Sequence, residues 1–363
     1  MFWFKKKNNN IGQKAVLHIG IEKTGTTSIQ EFLHLNRKLL QVQSINFPSF
    51  LGTRNHLKLA AFCMNDDNIT QFAKQNSIDT PQQKKEWNKS LEKKFSNEIK
   101  QISKQVSTVI FSSEHFASYL KSQNEILRLK DFLSTFFYQF QVIIYIRRQD
   151  LIACSMAGTM AKAGIENGIA TGNNIIRKQY YNFDKTLKKW SLAFGKENIC
   201  LRVFEESKLL QGDLILDFMH AAGIKNNPDF SLPSRLNTSP SAMAIEAAWH
   251  FIKIFPEQDD LSQWKLMRDF RVELMRQVSN RFPGPPKRLH KADAVNIYNF
   301  YHKSNLRVAR QWLDREDLFM DDFSMYPETG NEPQIDQKLV GEIVDNFIAR
   351  NPTLSHKQNR KKI

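Results

Sequence analysis

Cysteine is scarce in this chain of 363 residues. There are three, Cys63, Cys154 and Cys200, widely scattered and none in a CxxC pair. That spacing argues against a disulfide framework or a zinc site and points to a reducing cytoplasm. Long apolar runs are missing too: none approaches the roughly 20 residues that cross a bilayer. The chain opens on four apolar residues followed by "KKK", which reverses the order of a signal peptide and lacks its apolar core. Residues 1–13 and 351–363 are expected to be flexible tails, the first with aromatics and lysines suited to peripheral contact with an anionic membrane. Acidic residues are the minority, 37 Asp and Glu against 52 Lys and Arg, which leaves a net charge of +15. A surplus of that size suits an anionic ligand, polymer or membrane surface, or simply a well-solvated face. No internal repeat is present.

What is present is an alternation of strands and helices. Short apolar runs recur at "AVLHIG" (15–20), "STVIFSS" (107–113), "QVIIYI" (141–146) and "NICLRVF" (198–204). Continuous runs of this kind suit strands buried on both faces of a parallel sheet. Helical spacing follows the first of them through Ile29, Phe32, Leu33, Asn36, Leu39 and Leu40, and recurs between 83 and 104 at Trp87, Leu91, Phe95, Ile99 and Ile102. The pattern predicts an α/β fold with a doubly wound parallel sheet, whose ligands sit at the strand C-termini. Beyond about residue 225 it changes. Loops by composition at 225–241 and 281–288 separate helices in "AMAIEAAWHFIKIF", "QWKLMRDFRVELMRQVSN" and "NLRVARQWLDR". The expected organisation is an α/β core over 14–225 with a mainly helical extension of the same domain over 226–350.

Between the first strand and the first helix lies "GIEKTGTTSIQ". A triphosphatase loop reads GxxxxGK[ST], with its Lys on the β/γ-phosphates and its hydroxyl on Mg²⁺. Gly20 and Gly25 have that separation, but Thr26 stands where Lys should, and Lys23 precedes Gly25 by two positions. Gly25 permits a tight turn, and the N–H groups of residues 24 to 28 open a helix at whose positive end an anion is stabilised. The hydroxyls of Thr24, Thr26, Thr27 and Ser28 add donors. The loop suits phosphate; its lysine is placed for a different leaving group.

This loop resembles the first signature of the sulfotransferase superfamily, whose donor is 3′-phosphoadenosine 5′-phosphosulfate (PAPS), and the segments beyond it resemble bacterial carbohydrate-type members. The resemblance implies that Lys23, Thr24, Gly25, Thr26, Thr27 and Ser28 hold the 5′-phosphosulfate. It also implies a clamp for the 3′-phosphate, an Arg at a strand end with a Ser eight residues later. "VIIYIRRQDLIACSM" supplies it as Arg147 and Ser155, with Arg148 one residue out of register. Arginine suits the task because its planar fork grips phosphate bidentately and keeps its charge. "YYNFDKTLKKW" (180–190) resembles the same members without an evident chemical role.

Sulfuryl transfer to a hydroxyl needs a base for the acceptor's proton. "VIFSSEHFASY" offers Glu114 and His115 at a strand end, where neighbours are expected to face different directions, one into the cleft. The resemblance favours Glu114; His56 in "RNHLKL" is a third candidate. The sequence therefore predicts a PAPS-dependent sulfotransferase, releasing the desulfated nucleotide PAP, with no metal and with a carbohydrate hydroxyl as favoured acceptor. A P-loop kinase is the enzymatic alternative, which the missing GK[ST] opposes. A non-enzymatic polyanion or membrane binder is another; no nucleic-acid motif supports it.

Overall fold

The computed structural model describes residues 14–68, 70–102, 105–165, 179–233, 239–256, 261–328, 335–351 and 354. The expected tail over 1–13 and nearly all of that over 351–363 lie outside the described residues. In chain order the elements are β1 (Lys14–His18), α1 (Thr26–Leu35), α2 (Arg37–Val42), β2 (Ile45–Asn46), α3 (Leu57–Cys63), α4 (Gln71–Gln75), α5 (Pro81–Gln101), β3 (Thr108–Ser112), α6 (His115–Tyr119), α7 (Gln123–Ser134) and β4 (Gln139–Ile146). They continue as α8 (Gln149–Ala163), α9 (Phe183–Phe194), β5 (Ile199–Val203), α10 (Leu214–Ala222), α11 (Ala242–Ile254), α12 (Leu261–Arg281), α13 (Lys291–Trp312) and α14 (Gln337–Ala349).

The chain divides into two compact units, each drawn from three stretches: 1–147, 179–236 and 304–318 form one, and 148–178, 237–303 and 319–363 the other. The first holds the sheet. Its five strands run in the order β2-β3-β1-β4-β5, and every neighbouring pair is parallel. All strand C-termini therefore meet at one edge. Successive strands are added to one side of β1 up to β3 and to the other from β4 onward, so the order reverses around β1. Parallel sheets characteristically bind ligands at such a reversal, outside the strand C-termini.

Four of these strands coincide with the apolar runs. The fifth, β2, is two residues long at the sheet's edge and leaves no run to read. The expected helix through Leu40 is two helices. Asn36 ends the first, its amide donating to the Phe32 carbonyl at 2.8 Å and to the Ser231 carbonyl at 2.9 Å. A side chain that bonds the backbone this way competes with the helical ladder. α5 begins as a capped helix should: Thr80 accepts from the Gln83 N–H, Gln83 bonds back, and Pro81 sits in the first turn.

Helices cover both faces of the sheet. Ile29, Phe32 and Leu33 of α1 and Ile215, Phe218 and Met219 of α10 pack with Val16, Ile110, Ile143 and Tyr145 on one face. On the other, Phe111 of β3 meets Phe95 of α5 at 6.0 Å between ring centroids and Phe137 at 5.9 Å. Tyr145 would bring a phenol into the first layer unpaired, but its hydroxyl donates to Asp217 at 2.6 Å. Asp217 also takes the Arg202 guanidinium through both oxygens and the Leu210 N–H at 2.9 Å. In the second unit, α8 carries small residues, Ala153, Ala157 and Ala161, and its Gly158 lies where a Cβ would come 3.1 Å from Pro240. Among the described residues no helix is long and apolar enough to cross a membrane.

Burial pushes the Asp217 carboxyl up, but the hydrogen bonds from Arg202, Tyr145 and the Leu210 N–H outweigh it and hold it below the usual carboxylate range. A depressed folded pKa adds stability that is present above the unfolded value of about 3.9 and is lost as pH falls through the folded one. Asp217→Asn is expected to cost about 3 kcal/mol at pH 7, the low end for breaking a buried ion pair. Urea melts should show that deficit shrinking below pH 4; a pH-independent deficit would mean the ionised carboxylate contributes nothing.

Candidate functional site

The register of β1 sets the geometry. His18 stands beside Ser112 of β3 and Ile143 of β4. The loop leaving β1 thus emerges between Ser113-Glu114, which follow β3, and Arg147, which ends the longer β4. Three segments from separate parts of the sequence share one edge.

The loop is tightly made. Gly20 lies so close to Thr26 that a Cβ would stand 2.3 Å from its Cγ2. Gly25, at φ 77°, is the N-cap of α1, and a Cβ there would meet Leu214 at 2.2 Å. As a glycine it brings no side-chain acceptor to the first-turn N–H groups, an arrangement that suits an anion. Lys23 is also left-handed, at φ 68°. Thr24 is fully buried and its hydroxyl donates to the Ile21 carbonyl at 2.6 Å. Of the four hydroxyls, Thr24's thus braces the loop from inside, Thr26 is buried against Gly20, Ser28 is half-buried and Thr27 is exposed.

Arg147 reaches this loop directly. Its Nη1 donates to the Lys23 carbonyl at 3.1 Å, and its guanidinium lies 5.4 Å from the Phe204 ring centre. Arg148 has another occupation. It is buried, forms a two-pronged pair with Asp150 at 2.8 Å per bond, and donates to the Met320 carbonyl at 2.6 Å. Tyr326 adds its hydroxyl to Asp150. Ser155 lies on α8 in the second unit, half-buried.

Glu114 and His115 do not diverge as the sequence leads one to expect. His115 Nε2 lies 3.7 Å from Glu114 Oε1. The reason is local: β3 stops at Ser112, and Glu114 already has α-helical dihedrals (φ −66°, ψ −18°) at the start of α6. Neighbours on a helix are about 100° apart, not the 180° of a strand. Both side chains are half-buried. Two amides that sequence reading missed hold the other oxygen: Gln30 of α1 and Asn55 donate to Glu114 Oε2 at 3.0 and 2.8 Å. Asn55 in turn accepts from Ser113 Oγ at 2.7 Å, and Ser113 Oγ accepts the His115 N–H at 3.1 Å. Gln30 closes the quoted "GIEKTGTTSIQ", but nothing in the sequence marks either amide as a partner of Glu114.

His56 is fully buried and committed on both nitrogens. Its Nδ1 accepts the Ser112 N–H at 3.2 Å, so Nε2 carries the proton and donates to the Pro48 carbonyl at 2.7 Å. It pins β3 to the segment before α3. His18 is its counterpart beneath the loop. Its Nδ1 pairs with Ser112 Oγ at 2.8 Å, while Nε2 is buried without a hydrogen-bond partner among the described residues, 3.5 Å from where a Gly20 Cβ would be. A polar atom so placed lies against the Gly20 end of the loop.

No family model matches the chain. An uncharacterised protein of Archaeoglobus fulgidus is 28% identical over 215 residues, 58% of this chain and 55% of that protein, so the match spans about half of the relative's length. Among solved structures, a sulfotransferase from Alicyclobacillus acidocaldarius aligns at 17% identity and TM-score 0.39, over 69% of this chain and 98% of its own. The sulfotransferase domain of an olefin synthase from Synechococcus PCC 7002 aligns at 11% identity and TM-score 0.36, over 83% and 98%.

Burial pushes His18 and His56 down to about 3, against the opposing pull of the Pro48 carbonyl on His56. The unfolded chain takes up these protons near pH 6.5, and the folded one only near pH 3. Stability is therefore full above 6.5 and is expected to fall between 6.5 and 4.5 by on the order of 1 kcal/mol per pH unit for each histidine. Urea midpoints across that window measure it. His56→Gln should flatten the slope by about half, and an unchanged slope would remove His56 as a source.

Proposed function

We propose that the chain is a PAPS-dependent sulfotransferase that moves a sulfuryl group to an acceptor hydroxyl, with a carbohydrate hydroxyl as the favoured acceptor. The observation that carries this reading is the bond from Arg147 to the Lys23 carbonyl. It joins the two segments that a donor with phosphates at both ends requires, one from the end of β1 and one from the end of β4. The surplus of 15 positive charges agrees with a polyanionic donor.

In this reading the first-turn N–H groups of α1, with the exposed Thr27 and half-buried Ser28 hydroxyls, hold the 5′-phosphosulfate. Arg147 takes the 3′-phosphate, and the eight-residue spacing of the sequence names Ser155 as its partner. The acceptor oxygen attacks sulfur in line, the bond from sulfur to the phosphate oxygen breaks, and the electron pair leaves with PAP. Lys23 meets the charge that grows on that oxygen. Glu114 takes the acceptor's proton. Its Oε2 already carries two amide N–H groups, which leaves Oε1, beside His115, as the basic oxygen. His56, with both nitrogens engaged inside the protein, is the least suited of the three candidates.

PAP is expected to raise the melting temperature without added metal, and AMP, lacking the 3′-phosphate, much less. Equal shifts from the two would remove the 3′-phosphate clamp, and a shift only from ATP with Mg²⁺ would restore the kinase. Arg147→Ala should weaken PAP binding by about 1.5–3 kcal/mol, the scale of a charge-assisted contact, and Ser155→Ala by less. Arg148→Ala acts through the buried Asp150 pair and should lower stability more than PAP affinity.

Glu114→Gln keeps the side chain's size and removes its basicity. With labelled donor and a panel of glycans, turnover should drop roughly 10²–10⁴-fold, the range of general-base catalysis, while PAP affinity holds. Retained activity in Glu114→Gln together with its loss in His115→Asn would make the histidine the base.

A further inference from the structure

One cluster beside the loop has no part in the chemistry above. Glu22, immediately before Lys23, accepts hydrogen bonds on the same oxygen from two consecutive phenols, Tyr180 at 3.0 Å and Tyr181 at 2.6 Å. Tyr181 is fully buried, and the two rings lie 4.5 Å apart. Thr186 of α9 donates to the Tyr180 carbonyl at 3.1 Å, which ties this turn to the helix that follows. All of these residues belong to the unit that holds the sheet.

We propose that Glu22, Tyr180 and Tyr181 form a latch whose task is to position Lys23. The inference rests on the reading that Lys23 meets the leaving phosphate. The reason lies in the backbone. Lys23 is left-handed at φ 68°, a conformation that residues with a Cβ seldom adopt and that persists only where the surroundings impose it. On its far side, Arg147 holds its carbonyl. On its near side, the phenols hold the side chain of the residue before it. The Lys23 backbone is thus gripped from both directions.

The chemistry of the grip is suited to a fixed post. A hydroxyl donating to an ionised carboxylate makes one of the shorter and stronger hydrogen bonds available to side chains. Burial and the Glu22 carboxylate both push the Tyr181 phenol far above its ordinary range, so it donates at every pH the protein meets. The same two bonds engage the Glu22 carboxylate through one oxygen. Glu22 and the tyrosines are positioning residues: in this assignment they touch neither donor nor acceptor.

The test compares the wild type with Tyr180→Phe/Tyr181→Phe, which removes two hydroxyls and keeps both rings, and with Glu22→Gln, which keeps an acceptor oxygen. Each is made with Lys23 intact and with Lys23→Ala. PAP affinity should stay within twofold. PAP release from PAPS, with water or a glycan panel as acceptor, should fall at least tenfold in the double phenylalanine variant and less in Glu22→Gln. On the Lys23→Ala background the further loss should be under twofold, because the latch then has nothing to position. Equal losses on both backgrounds, or a loss of PAP affinity that tracks the loss of turnover, would overturn the proposal. A second measurement needs no turnover. Acetylation of Lys23 by acetic anhydride at pH 8, scored by mass spectrometry against Lys14, should speed up at least threefold when the hydroxyls are removed. An unchanged rate overturns the latch even in a protein that binds PAP. A wild type that fails to bind PAP defeats the donor reading alone, and the labelling result still judges the latch.

Discussion

A lysine in left-handed backbone does not stay there unaided, and the hydrogen bond from Arg147 to its carbonyl is the constraint on which the candidate site turns. The arginine can reach because β4 runs three residues beyond Ile143, the partner of His18 at the end of β1. The loop can receive it because Gly20 and Gly25 allow the chain to press against Thr26 and Leu214, where any Cβ would collide. Register, strand length and two glycines therefore act together. Loss of any one would take the guanidinium away from the Lys23 carbonyl.

Much of this was legible in the sequence. The four long strands announced themselves because parallel strands buried on both faces must be apolar throughout. The loop was legible because glycines and hydroxyls between a strand and a helix have few other uses. What escaped notice did so for physical reasons. β2 has only Ile45 and Asn46 to show, too few for a period. Asn36 broke a helix whose apolar spacing continued unbroken past it, because the break comes from a side chain bonding backbone 195 residues away. The expectation that Glu114 and His115 face apart assumed that strand geometry persisted past Ser112, and the chain had already turned helical. Gln30 and Asn55 are unremarkable in sequence and acquire meaning only by meeting at one oxygen. The choice of Arg147 over Arg148 came from spacing alone; that Arg148 is committed to a buried pair with Asp150 could not be read from the sequence.

Polar groups are distributed unequally around the sheet's C-terminal edge. Beneath it, His18, Ser112 and His56 form a buried neutral row in which the Ser112 side chain serves one imidazole and its N–H the other. Above it stand the groups that carry charge, Lys23, Arg147 and Glu114. A neutral layer under a charged one is what low-dielectric burial favours, since burying an uncompensated charge costs far more than burying a hydrogen-bonded neutral group. It also means that acid acts on this region from below. Protonating the row, which in the folded protein happens only near pH 3, would place charge under the loop.

α1 connects the two ends of the proposed chemistry. Its first turn is the anion-facing end of the loop, and Gln30, one turn later, donates to Glu114. The next residue, Glu31, pairs with Arg54, next to the Asn55 that also holds Glu114. A helix is stiff over this distance, about 6 Å for four residues. Any shift of α1 that accompanies an anion settling on its N-terminus is therefore carried to the Glu114 carboxylate through Gln30, and to Asn55 through Arg54. The site needs no moving part to keep donor and base in register, because both hang from one turn and a half of the same helix.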